Sequence, residues 1–283
     1  MTGQPLATTG IRPRISLAQA SFALLAGFLL AQLAGKIVAE FLGASASLHA
    51  AGGRPVHGLL PEVVVPSMLA SEFALLLVAL SMPLLASLPV RETLGLRRAP
   101  LRVFVAAGLG TVLLGPIGDV CMTTLSQLFP KFSLGVVPAL HDIAQGFAWP
   151  LLWPAFALLP GLAEELLFRG VLQRAIVRPG LAVLVSGLAF ALFHVDPVHV
   201  VGVLPLGLFL AWVAQRSGTS VTIFAHVLNN SVAIATIQSA TLDVGYGTDR
   251  PLPFAWVVAS LCGVFLAARV IMRETAPLPP ALG

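Results

Sequence analysis

The sequence predicts an all-α fold, a polytopic transmembrane helical bundle of about eight helices. Hydrophobic residues make up 57% of the 283 positions and charged residues only 10%. A soluble domain carries about 25% charged residues, so this chain has too few to cover a surface facing water. Mean hydropathy is +0.94, and the apolar residues gather into runs close to the ~20 needed to cross a bilayer. The basic residues, finally, fall in alternate connections between those runs.

Eight apolar segments follow one another, near 15–35, 63–88, 103–126, 147–169, 181–195, 199–215, 219–240 and 254–272. The first follows Arg12 and Arg14 and precedes Ala44-Ser45-Ala46, an outline shared with signal peptides. Its apolar part is longer than a signal core, and Lys36 and Glu40 intervene before the small residues, so it reads as an uncleaved helix. The second and third flank a basic connection, LGLRRAP, from Leu94 to Pro100. The fourth carries Glu164, Glu165 and Arg169. The fifth and sixth are short, with Asp196-Pro197 between them, and read as a tight helical hairpin that need not cross the bilayer symmetrically. The seventh carries His226, Asn229 and Asn230, and the eighth closes the bundle. Cys121 and Cys262 fall inside apolar runs and read as small packing residues, with no disulfide or CxxC logic. Residues 1–14 and the Pro-rich end, 273–283, read as disordered cytoplasmic ends. One integral membrane domain, 15–272, remains.

Orientation follows from the basic residues. With an even number of spans both termini share a side. That side holds eleven, Arg12, Arg14, Arg91, Arg97, Arg98, Arg102, Arg174, Arg178, Arg216, Arg269 and Arg273, and the other holds three, Arg54, Lys131 and Arg250. Both termini are therefore expected in the cytoplasm. The net charge of +4 reflects this topology and not a nucleic-acid footprint; the expected partner is the bilayer. All but two of the 16 basic residues are Arg, a bias that fits a GC-rich bacterial coding sequence and hence a multi-pass protein of the inner (plasma) membrane.

A charge near the bilayer centre costs at least ~2.5–3.5 kcal/mol, so each one calls for a partner or a function. Glu165 and Arg169 stand at i and i+4 with the acid first, the favourable order for an ion pair. Glu164 lies about 100° around the helix and is left without that partner. Two readings stay open at this point: both acids bind Arg169, or Glu165 and Arg169 form the scaffold while Glu164 accepts a proton. His194, in FALFH, and His226 with Asn230, at i and i+4 in FAHVLNN, are equally compatible with helix-packing hydrogen bonds. Depth favours a common site. At 1.5 Å per residue, Glu164 lies roughly 15 Å in from Arg174, His226 roughly 14 Å in from Ser217, and His194 roughly 21 Å in from Gly180. Glu72 and Asp119 stand alone in their helices and read as structural, with Lys36, Arg169 or polar backbone as possible partners.

A carboxylate beside a neutral imidazole can hold a water and take its proton, and a second His with an amide can stabilise an oxyanion. One Glu and two His can equally bind Zn²⁺ with an open position, although the HExxH spacing is absent. With EELLFR, FALFH and HVLNN in this order, the chain resembles the CPBP (CAAX protease and bacteriocin-processing, Abi) family of intramembrane glutamic endopeptidases, related to type II CAAX prenyl endopeptidases. The LGLRRAP stretch resembles the family's cytoplasmic segment. The resemblance implies a catalytic core at about 147–240 and a mechanism without cofactor or metal. Glu164 and His194 would activate water, His226 and Asn230 would stabilise the oxyanion, and Glu165, Arg169 and Phe190 would support the site. The family's substrates span prenylated proteins, peptide precursors and membrane-anchored sorting signals, and with a bacterial source the expected substrate is a peptide precursor or a membrane-tethered protein. Alternatives are a non-enzymatic membrane factor (an immunity or partner-binding protein), a metal-dependent version of the protease, and a proton-relay transporter. The full Glu/His/His/Asn set favours the enzyme over the binder, and the absence of inverted repeats disfavours the transporter.

Overall fold

The computed structural model describes residues 14–49, 61–132, 134, 143–144, 147–239 and 253–275. The ends expected to be disordered lie largely outside these residues, as do Arg54 and Arg250. The described residues are helical, without a strand. In chain order the helices are α1 (Leu17–His49), α2 (Pro61–Leu85), the single turn α3 (Val90–Thr93) and α4 (Leu101–Leu128). Then follow α5 (Trp149–Ala175), α6 (Pro179–Leu192), α7 (Pro197–Ser217), α8 (Thr219–Gln238) and α9 (Phe254–Glu274). All but α3 and α6 are long and apolar enough to cross a membrane, which makes seven candidate spans. At 14 residues, α6 extends only ~21 Å against a hydrocarbon core of ~30 Å. The expected short pair is thus one short helix, α6, and one full-length helix, α7.

Local sequence explains several helix starts. Ser16 and Gln19 form a capping box at α1: the Ser16 amide donates to Gln19 Oε1 at 2.8 Å, and the Gln19 amide donates to Ser16 Oγ at 3.2 Å. The exchange satisfies two amides that no helical carbonyl reaches. Asp196 caps α7, accepting from the Val198 and His199 amides, with Pro197 at the first helical position, where its missing N–H costs nothing. This cap is why α7 begins two residues before the apolar run suggested.

The central helix, α5, is not a regular α-helix. Pro160 cannot donate to the carbonyl four residues back, and the wider π-helical stretch Pro154–Leu158 precedes it. A second π-helical stretch, Leu166–Leu172, follows directly after Glu165. Its end is marked by the Gln173 amide, which donates to Phe168 O, five residues back. Ser186 on α6 donates to that same carbonyl at 3.1 Å. Wide turns of this kind recur at functional sites in helices, and here they lie on either side of the glutamate pair.

Glycines let the neighbours close on α5 and on each other. A Cβ on Gly161 would lie 2.9 Å from the backbone nitrogen of Val227 on α8, so only glycine admits this approach. A Cβ on Gly207 would lie 2.8 Å from the carbonyl oxygen of Gly187, which fixes the α6–α7 hairpin. The basic connection binds the ends of two helices. Gly95, at φ 68°, accepts from the Thr219 amide at 2.9 Å, and Arg174 at the end of α5 donates to Thr93 O at 2.8 Å. Cys121 and Cys262 are both free thiols. Large apolar side chains such as Leu25, Leu29, Phe41, Leu261 and Phe265 face outward from α1 and α9, as lipid-facing surfaces require.

Candidate active site

The centre of the bundle is a buried ionic cluster built on Glu165, which is fully buried. Its Oε1 accepts from Arg169 Nη1 at 2.8 Å and from His226 Nδ1 at 3.0 Å. The expected i,i+4 pair is therefore present, and it also reaches α8. Arg169 Nη2 donates to Gly207 O on α7 at 3.0 Å. One turn further along both helices, Gln173 Nε2 donates to Ala211 O at 2.8 Å. These two rungs hold α5 against α7, and Gln173 carried no signal in the sequence beyond its polarity. The Arg169 guanidinium also lies over the Phe190 ring, 4.4 Å from its centroid, a cation–π contact that strengthens when desolvated.

Phe190 joins the two histidines. Its ring meets His194 edge-on at 5.2 Å between centroids and His226 at 5.6 Å. His194 lies just past the end of α6, and its Nδ1 donates to Phe190 O at 3.0 Å. That bond leaves Nε2 with the lone pair, so His194 presents an acceptor to the site. The His199 ring stands 4.6 Å from that of His194. The turn that points His194 inward is strained: Val195 has φ 64°, a left-handed conformation that β-branched residues avoid. Such residues cost about 1–3 kcal/mol. Val195→Gly is expected to raise stability by about 1 kcal/mol, once glycine's larger unfolded-state entropy is subtracted. Chaotrope unfolding in micelles measures this, and a less stable variant contradicts the strain.

Asn230 lies one turn beyond His226 on the same helix. Its Oδ1 accepts from Asn229 Nδ2 at 3.3 Å, which turns the Asn230 NH2 away as a donor. Asn229 is buried, while Asn230 keeps partial exposure. Glu164 is 8% exposed, and its Oε2 is sealed without a hydrogen-bond partner. Its ionisable neighbours are Glu72, His226, Glu165 and Arg169. No direct hydrogen bond links Glu164 to His194. Glu72 on α2 is 5% exposed with its Oε2 likewise unpartnered; it pairs with neither Lys36 nor Arg169. Asp119 is buried on α4.

Among the described residues, no three His, Cys, Asp or Glu side chains are grouped so as to hold a metal ion. Every residue singled out from the three motifs lies on α5, on the end of α6 or the turn after it, or on α8. Residues 146–232 match the family model described as type II CAAX prenyl endopeptidase Rce1-like. The match supports a CAAX-type endopeptidase and a multi-pass membrane protein. The Rce1-like stretch holds all seven expected site residues, Glu164, Glu165, Arg169, Phe190, His194, His226 and Asn230, and it excludes α1, α2, α4 and α9. No curated protein and no solved structure matches the chain.

Proposed function

We propose that this chain is an intramembrane glutamic-type endopeptidase. Its proposed substrate is a peptide precursor or a membrane-tethered protein segment, and its place is the inner membrane, with both termini in the cytoplasm. One observation carries the reading: the two acids of the doublet have different environments. Both acids have a buried Oε2 without a partner, but Glu165 is held through Oε1 by Arg169 and His226, whereas among the described residues no such ion pair engages Glu164. A base must have a free lone pair within reach of the proton it takes, and Glu164 supplies one.

The hydrogen bonds of the two histidines divide their roles. His194 donates through Nδ1 to Phe190 O, so its Nε2 accepts a hydrogen from water. His226 donates through Nδ1 to the Glu165 carboxylate. With a second proton on Nε2, balanced by that carboxylate, it donates to an oxyanion. In the proposed reaction water, held by Glu164 and His194, attacks the scissile carbonyl carbon while Glu164 takes its proton. The carbonyl oxygen becomes an oxyanion held by His226 Nε2–H and Asn230 Nδ2–H. Collapse breaks the C–N bond, the proton held by Glu164 passes to the leaving nitrogen, and the products are a carboxylic acid and an amine.

The test is cleavage of a library of single-span reporter peptides by the protein in lipid nanodiscs, read by mass spectrometry. A defined cut supports the reading. Asn230→Ala is expected to lower kcat by roughly 10²–10³ with KM little changed, as loss of one oxyanion donor does. Cleavage that stops on exhaustive chelation and returns with Zn²⁺ would favour the metal-dependent version instead.

A further inference from the structure

We infer that Glu72 of α2, outside the matched stretch, is a positioning residue for Glu164: the two form a buried carboxyl pair in which Glu72 keeps its proton and orients the ionised Glu164. This rests on the endopeptidase reading above for its catalytic meaning, while the pair itself is a matter of geometry.

Helices α2 and α5 lie side by side and run in the same direction. At one end Val65 packs in a cluster with Leu152, Ala155 and Ala157. Further along both helices, Leu75 and Ala79 pack in a cluster with Ala163, Leu166 and Leu167. The register is fixed where α1 crosses them: a Cβ on Gly27 would lie 3.2 Å from Leu75 Cδ2 and 3.3 Å from Leu167 Cδ2. Glu72 and Glu164 are each three residues before that matched pair, on the same helical face as it. Both are buried, and each has its Oε2 sealed without a partner. Glu72 is also an electrostatic neighbour of Glu164.

Charge balance leaves one of the two acids ionised, and the nearness of Arg169 and His226 to Glu164 makes it that one. Arg169 and an oxyanion-donating His226 carry two positive charges, and Glu165 and an ionised Glu164 balance them. A third buried anion would have no counter-charge, which an interior of low dielectric does not tolerate. Two close carboxyls hold one proton between them for the same reason. An undissociated Glu72 then stands beside Glu164 as a neutral donor. Of the other titratable groups on the helices around the pair, Lys36 and Glu40 of α1 are exposed. Glu165, Arg169 and His226 surround Glu164 from α5 and α8.

The experiment has two arms. Infrared difference titration of the full chain in nanodiscs needs no substrate. Glu72→Gln should remove one protonated-carboxyl band and move the titration of Glu164, and Glu164→Gln should move that of Glu72. Unchanged titration of each acid in the other's absence overturns the pair. In the cleavage arm, Glu72→Leu should lower kcat about 100-fold with KM little changed, and Glu72→Gln should recover about tenfold of that loss with an altered pH profile. Glu72→Leu with wild-type kcat and pH profile overturns the positioning role. A wild type that cleaves nothing removes the endopeptidase reading, and the infrared arm still decides the pair.

Discussion

Glu164→Gln is expected to lower kcat by roughly 10²–10⁴, the contribution of a positioned general base, without unfolding the protein. The substitution keeps the shape of the side chain and removes its ability to take a proton. Glu164 makes no hydrogen bond that holds two helices together, and its Oε2 is sealed without a partner. The amide has nearly the volume of the acid and no hydrogen bond between helices is lost, so chaotrope unfolding should place the variant close to wild type. The expected signature is an inactive, stable protein. His194→Ala should lower kcat alongside it. If both belong to one water-activating unit, the double variant should cost far less than the product of the single effects. Full cleavage by a folded Glu164→Gln protein would end the proposed mechanism.

The spans and the outline of the site were legible in the sequence because both rest on local signals. Runs of about 20 apolar residues mark helices wherever they pack, and the i,i+4 spacings of Glu165 with Arg169 and of His226 with Asn230 place each pair on one face. What joins two helices was not legible. Nothing local to Glu165 points to His226, 61 positions away; the contact depends on Gly161 letting α8 approach α5. The division of the doublet was inferred from helical angle, but the π-helical turns that follow Glu165 come from tertiary packing, which a regular period does not foresee. Val195 lacked any cue, since a valine is among the last residues expected at a positive φ. Glu72 reads as an isolated acid because the pairing proposed for it is with a helix that follows α4 in the chain. The length of α7 was underestimated for a simpler reason: the Asp196 cap and Pro197 start the helix, and an apolar window does not count them.

The largest effect on stability is expected at Glu165. Its carboxylate balances Arg169 and holds His226, and all three side chains are at least nine-tenths buried. Glu165→Leu leaves a buried guanidinium without its counter-charge, a loss of about 3–5 kcal/mol when one partner of a buried pair is removed. Arg169 would retain its bond to Gly207 O and its contact with Phe190, so the loss should be severe without abolishing assembly of α5 with α7. The paired change Glu165→Leu with Arg169→Met removes both charges and is expected to recover most of that stability, because an apolar pair of similar volume replaces a buried ion pair at little cost. Activity should not return with it. His226 would have lost the carboxylate that fixes its ring and balances its second proton, so oxyanion donation from Nε2 would fail in a folded protein. Stability measured by chaotrope unfolding and kcat measured on the same preparation separate the two roles. Recovery of both together would make Glu165 a purely structural acid, whereas recovery of stability alone places the orientation of His226 among its functions.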